Sequence, residues 1–197
     1  MAGFLRTMGI RDERVLEAMA CVRREVFVPG EFRRGDLYGD FPSPIGCGQT
    51  ISQPFIVAHM LESLSLRPDE RVLEVGSGCG YVAAVMAVMG LRVFAVELVP
   101  ELHAHSVSAL AGEGYAVQSR CGDGRRGWPE HAPYDGILVS CASPDIPPAL
   151  EDQLAPRGRM ILPVGGGLAQ ELCVVERDAH GTLHCHPGLP VRFVPMR

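Results

Sequence analysis

No apolar run in this 197-residue chain reaches the ~18 residues needed to cross a bilayer, which excludes a helical membrane protein. Met1 to Ile10 hold one arginine and no long apolar core, so no secretory signal is read there and the cytoplasm is expected. Basic charge is short too: a net charge of −5 argues against a nucleic-acid surface, and Arg33-Arg34 and Arg125-Arg126 are too brief to form a basic patch. There is no C-x-x-C pair among the seven scattered cysteines, which removes the common zinc and redox signatures and suits a reducing compartment. His184-Cys185-His186 would put its two histidines on one strand face with no second ligand pair nearby, so no metal site is expected.

What is present fits one soluble globular domain: 47% hydrophobic and 21% charged residues, in a chain long enough to bury ~70% of its unfolded surface. Residues 1–70 read as a helical lead-in serving as a substrate or cap region. Val15, Leu16, Met19 and Val22 recur at helical spacing until Pro29-Gly30 breaks the pattern. A Pro- and Gly-rich loop is expected from Gly35 to Gln49. An amphipathic helix then opens near Ser52-Gln53-Pro54, with Ile56, Val57, Met60, Leu61 and Leu64 on one side, Ser52 as its N-cap and Pro54 in its first turn.

Residues 71–197 read as an α/β core. Strands are expected at Arg71–Val75, Arg92–Val96, Ala116–Arg120, Gly136–Ser140 and Arg159–Pro163, with helices between most of them. That alternation implies a doubly wound, mostly parallel Rossmann-like sheet. Leu172–Val175 and Val191–Val194 read as antiparallel edge strands closing it. In such a sheet the ligand lies at the carboxyl ends of the strands, so the loops after the first four should carry the site.

The first of these loops is the most informative stretch. Val72-Leu73-Glu74-Val75-Gly76-Ser77-Gly78-Cys79-Gly80-Tyr81 is a buried strand running into a helix through three glycines at alternate positions. A dinucleotide fingerprint would need a sixth-position glycine, which here is Tyr81. G-x-G-x-G with a carboxylate two residues before it is instead the arrangement expected for S-adenosylmethionine (SAM). Glu97, at the end of the second strand, could accept two ribose hydroxyls, and Gly122-Asp123-Gly124, after the third, could present Asp123 to the adenine amino group. Each element alone could be an ordinary turn or a solvated strand end. Together, on successive strand ends, they point to Glu74, Gly76, Ser77, Gly78, Gly80, Glu97, Gly122, Asp123 and Gly124 as cofactor-binding residues.

The segment Pro44-Ile45-Gly46-Cys47-Gly48-Gln49-Thr50-Ile51-Ser52-Gln53-Pro54 resembles the signature that precedes the cofactor domain in protein-L-isoaspartate O-methyltransferases. The resemblance continues through Tyr38-Gly39-Asp40, Ala132-Pro133-Tyr134-Asp135, Ile146-Pro147, Gln153-Leu154 and Ile161-Leu162-Pro163-Val164-Gly165 to Val191-Arg192-Phe193-Val194-Pro195. It implies methyl transfer from SAM to the α-carboxylate of L-isoaspartyl residues in damaged proteins, with repair proceeding through a succinimide. It also places the Ser52 hydroxyl at the reacting centre, where it would orient the acceptor carboxylate; the N-cap role is the competing local reading. Thr50, Ile51, Ser52, Val191 and Val194 would hold flanking peptide in an extended form. Isoaspartyl peptides and proteins are thus the expected partners of a monomer. Two other classes remain open, a SAM methyltransferase with a different acceptor and a non-catalytic SAM-binding module.

Overall fold

The computed structural model describes residues 1–30, 37–167 and 169–197; Arg33-Arg34 and Gly35 lie outside the described residues. Three helices come first, α1 (Ala2–Thr7), α2 (Glu13–Cys21) and α3 (Arg24–Phe27). The Asp12 carboxylate caps α2 by accepting the Arg14 N–H at 2.9 Å, and the stripe of Val15, Leu16 and Met19 is buried beneath it.

Where a loop was expected up to Gln49, the chain makes a hairpin of β1 (Ser43–Gly46) and β2 (Gln49–Ile51). Gly46 pairs with Gln49 across a two-residue connection, Cys47-Gly48, with φ of 52° and 70°. Positive φ at both central residues gives the turn whose twist matches a hairpin. The usual Asn-Gly or Asp-Gly signal is absent, so composition alone reads this segment as a loop.

Helix α4 (Pro54–Leu64) starts with Pro54 in its first turn and buries Val57, Met60, Leu61 and Leu64, while Ile56 is half-buried. Ser52 is not its N-cap. Gln53 holds that position without a side-chain cap bond, and the Asp40 carboxylate accepts the Phe55 N–H at 2.8 Å in its place. An orphan helix donor is thereby satisfied from outside the local segment, and the Ser52 hydroxyl takes no part in the cap. Glu62 on the same helix accepts the N–H groups of Arg11 and Asp12 at 2.6 and 2.7 Å, tying the lead-in to α4.

The core alternates β3 (Arg71–Val75), α5 (Tyr81–Val88), β4 (Arg92–Glu97), α6 (Pro100–Gly112), β5 (Val117–Cys121), β6 (Tyr134–Val139), α7 (Pro148–Asp152) and β7 (Leu154–Gly166), then β8 (Ala169–Arg177) and β9 (Leu183–Val191). One seven-stranded sheet results, ordered β5-β4-β3-β6-β7-β8-β9, parallel as far as β7 and antiparallel beyond. Alternate residues feed opposite layers: Leu73, Val75, Ile137 and Val139 join one apolar cluster, Val72 and Leu138 the other, which the N-terminal helices cover. Strand order runs outward from β3 in both directions, so the switch point lies between the carboxyl ends of β3 and β6. Among the described residues no helix is long and apolar enough to cross a membrane.

Two strands depart most from expectation, while β8 extends beyond the expected Leu172–Val175 at both ends. β7 begins at Leu154 rather than Arg159, because Pro156-Arg157-Gly158, which reads as a turn, is a bulge: Tyr134 pairs with Leu154 and Gly136 with Arg159. The last strand is Leu183–Val191, not Val191–Val194. It is a sheet edge, where Pro187 and Pro190 are tolerated.

Cys47 is a non-glycine residue in the left-handed region at the hairpin tip, where asparagine is better suited. Cys47→Asn should raise the melting temperature by about 1–4 °C, corresponding to roughly 0.5–1 kcal/mol. Calorimetry on the two proteins checks this; an unchanged or lower value would contradict the turn assignment.

Candidate active site

Three hollows meet at the carboxyl ends of β3, β4 and β6. The first holds about 590 Å³ of empty space bordered by Gly76, Gly78, Glu97, Val99, Gly124 and the tail Val194–Arg197. An inner one of about 310 Å³ lies against Glu74, Ser77, Cys79, Ile51 and Ser52. The third, about 1020 Å³, is an open groove between Pro42, Ser52, Gln53 and Ile56 on one side and Pro190 to Val194 on the other. Thr50 and Ser140 border all three. A junction of two small hydroxyl residues therefore separates the cleft from the groove.

The glycine loop forms the floor. Gly76, Gly78 and Gly80 all have positive φ, at 76°, 54° and 89°, and Gly80 begins α5. A Cβ on Gly76 would sit 3.2 Å from the Cys141 sulfur, and one on Gly124 only 2.4 Å from Val75 Cγ1. A side chain at Gly124 would therefore collide with β3, and one at Gly76 would crowd Cys141. The Glu97 carboxylate holds the loop from beside it: Oε2 accepts the Gly78 N–H at 2.7 Å and Oε1 the Val99 N–H at 2.9 Å. Each oxygen keeps a second lone pair for hydroxyl donors.

Glu74 is 1% exposed, and its Oε2 has no hydrogen-bond partner among the described residues. Burial, and secondarily the Glu97 charge, push its carboxyl up to about 8. A buried acceptor waiting for a donor, next to a glycine cradle, fits the amino-acid end of SAM. Burial likewise pushes the Cys79 thiol up to about 11 and the Cys141 thiol up to about 12.

Ser52 borders both the inner hollow and the groove. Its backbone is held by Arg24, whose Nη2 donates to the Ser52 C=O at 2.7 Å. Arg24 is fully buried, lies 5.0 Å from the centroid of the Tyr81 ring, and leaves Nε and Nη1 without partners among the described residues. Desolvation lowers its pKa, with the Tyr81 hydroxyl opposing the shift. One guanidinium thus spans the lead-in, the backbone at Ser52 and the first residue of α5.

Most of the expected residues converge here: Thr50, Ile51, Ser52, Glu74, Gly76, Ser77, Gly78, Glu97, Gly124, Val191 and Val194 all border a hollow. Gly80 shapes the loop from behind, with Ser106 and Leu110 against it. Gly122 and Asp123 border none of the three hollows. The Gly122 N–H is taken by the Glu97 C=O at 2.9 Å. Both Asp123 oxygens are taken by Arg125, which lowers the carboxyl pKa, and the side chain caps a short 3₁₀ turn at Gly124–Arg126. Ser140, Arg24 and the tail Pro195–Arg197 escaped the sequence reading. Only Ser140 carried a signal, as the last residue of an expected strand.

A family model described as protein-L-isoaspartate(D-aspartate) O-methyltransferase matches residues 1–197. The chain belongs to that family. A protein-L-isoaspartate O-methyltransferase of Methylorubrum extorquens (strain PA1) is 53% identical over 188 residues, covering 95% of this chain and 82% of the relative. A solved protein-L-isoaspartate O-methyltransferase superposes with a TM-score of 0.90 at 29% identity; the match covers 98% of this chain and 64% of that one. A Plasmodium falciparum protein described as a member of the same family, solved with S-adenosyl-L-homocysteine, gives 0.87 at 25% identity over 100% of this chain and 96% of its own. SAM is the methyltransferase's cofactor, and isoaspartate repair is the family's chemistry.

The raised Glu74 carboxyl has a thermodynamic consequence. Its pKa lies above the ordinary value of 4.5, so the stability of the neutral form is complete below about 4.5 and is lost as pH rises through about 8. Glu74→Gln, neutral throughout, should therefore gain melting temperature relative to the parent as pH climbs from ~5 to ~9. Scans across that range check the sign; a difference that stays flat or falls would show that Glu74 is not buried in its neutral form.

Proposed function

We propose that the cleft beside Glu97 receives SAM, that the groove beside Ser52 receives the isoaspartyl peptide, and that the methyl group crosses between them at the Thr50–Ser52–Ser140 junction. The observation that carries this reading is that Thr50 and Ser140 border both spaces. When bound, SAM supplies a methyl group made electrophilic by its sulfonium charge. Glu74, the glycine loop and Glu97 hold it, the unpartnered Glu74 oxygen taking a donor and the free Glu97 lone pairs taking ribose hydroxyls. The adenine role expected for Asp123 needs its pairing with Arg125 to open, so we assign that end to the Gly124 turn instead.

The acceptor α-carboxylate, with an ordinary pKa near ~3.5, is ionised at neutral pH and needs no strong base. The protein's task is alignment, which can supply several kcal/mol of a barrier. Ser52 donates a hydrogen bond that orients the carboxylate, and Arg24 fixes the backbone from which that hydroxyl projects. The ester then closes to a succinimide without further help. Residues 1–70 act as the acceptor-side cap of a single domain and residues 71–197 as its cofactor core. We read the protein as acting as a monomer; net charge disfavours nucleic acid, and seven free thiols suit the cytoplasm.

An isoaspartyl peptide should be methylated from labelled SAM, and the same peptide with normal aspartate should not. Its carboxylate is displaced by one methylene, and ~1 Å of misplacement costs around a hundredfold. Comparable rates on both peptides would remove the repair assignment. In the same assay Ser52→Ala should lower turnover ~10²-fold while S-adenosylhomocysteine affinity, read by calorimetry, stays within about twofold. Loss of both together would mean that Ser52 serves the cofactor side.

A further inference from the structure

β9 ends at Val191, and the next backbone-to-backbone bond of the chain is made only at Val194, yet Phe193 stays beside β8. Gln170 explains how. Its backbone pairs with Val191, and its side chain pairs with Phe193: the Phe193 N–H donates to Oε1 at 2.7 Å, and Nε2 donates to the Phe193 C=O at 3.2 Å. A side-chain amide that is only 7% exposed thus reproduces the donor and acceptor of a missing strand residue.

Backbone groups alternate sides along an extended segment. With Val191 and Phe193 turned toward β8, Arg192 and Val194 turn away from it. The Val194 C=O takes the Ala142 N–H at 2.8 Å. Among the described residues, neither the N–H nor the C=O of Arg192 has a partner. Arg192 borders the acceptor groove together with Pro190, Phe193 and Val194. Upstream, Pro190 and Pro187 have no N–H to offer, so the open donor–acceptor pair at this rim is confined to one residue. An unpaired backbone pair on an extended segment beside a groove is what another backbone pairs with.

We propose that Gln170 is a positioning residue for the acceptor: its amide fixes Phe193 so that the N–H and C=O of Arg192 stay open to the main chain of the isoaspartyl peptide. This rests on the reading of the groove as the acceptor site. It also assigns a physical basis for tolerance of varied flanking sequence, since the contact is with backbone.

The test compares Gln170→Leu with the parent on two acceptors, an isoaspartyl peptide with three residues on each side and a minimal isoaspartyl peptide blocked directly at both ends. For the long peptide, KM should rise about tenfold, the loss expected from two hydrogen bonds, with kcat and S-adenosylhomocysteine affinity within about twofold. For the minimal peptide, KM should rise less than threefold. Equal increases on both acceptors, or none on either, overturn the proposal. Should the variant not fold, the parent enzyme still decides: N-methylation of flanking amides, one position at a time in the long peptide, should raise KM at one position, and insensitivity at every position overturns the proposal. Absence of methylation on any isoaspartyl acceptor by the parent would instead overturn the reading of the groove.

Discussion

The Glu97 carboxylate is the interaction on which the site's geometry turns. By accepting one N–H from the glycine loop and one from the start of the next connection, it locks together the two loops that bound the cleft. That lock requires a charge-bearing group at 5% exposure, which backbone donors make tolerable. It also acts on its neighbour. Burial foremost, and the nearby Glu97 charge second, hold Glu74 neutral up to about 8. A cationic ligand end would restore the balance, so the two acids form one electrostatic unit that is incomplete without cargo.

At Ser52 the corresponding constraint is its release from local duties. Asp40 satisfies the α4 terminus from elsewhere in the chain, and Arg24 holds the Ser52 carbonyl from below. Burying a guanidinium with two nitrogens unpartnered is costly. The arrangement gives a rigid backbone under a hydroxyl that is not committed to a cap. Stability and positioning therefore pull against each other at one residue.

The α/β core was largely legible in the sequence, since each of its signals is local. β3 spans the expected Arg71–Val75 because an apolar run next to alternate glycines has few other solutions. What was misread depends on partners far along the chain. The Cys47-Gly48 turn lacks the usual dipeptide, and the edge strand β9 is visible only once β8 lies beside it. Ser52 looked like a cap because Asp40 is separated from Phe55 by fifteen positions. Arg24 and Gln170, polar residues in unremarkable contexts, acquire their roles only through contacts 28 and 23 residues away.

The sulfur chemistry of the cleft divides the seven cysteines in two. Cys79 and Cys141 stand against the glycine loop, but burial keeps them as thiols at any pH the cell reaches, and a thiol without its thiolate is a poor nucleophile. Cys173 is the third buried thiol, and Cys21, Cys47, Cys121 and Cys185 are the exposed ones. Oxidants and electrophiles meeting this protein therefore spend themselves on its outside. An enzyme whose substrates are proteins worn by time keeps the sulfur nearest its own chemistry out of reach of the same wear.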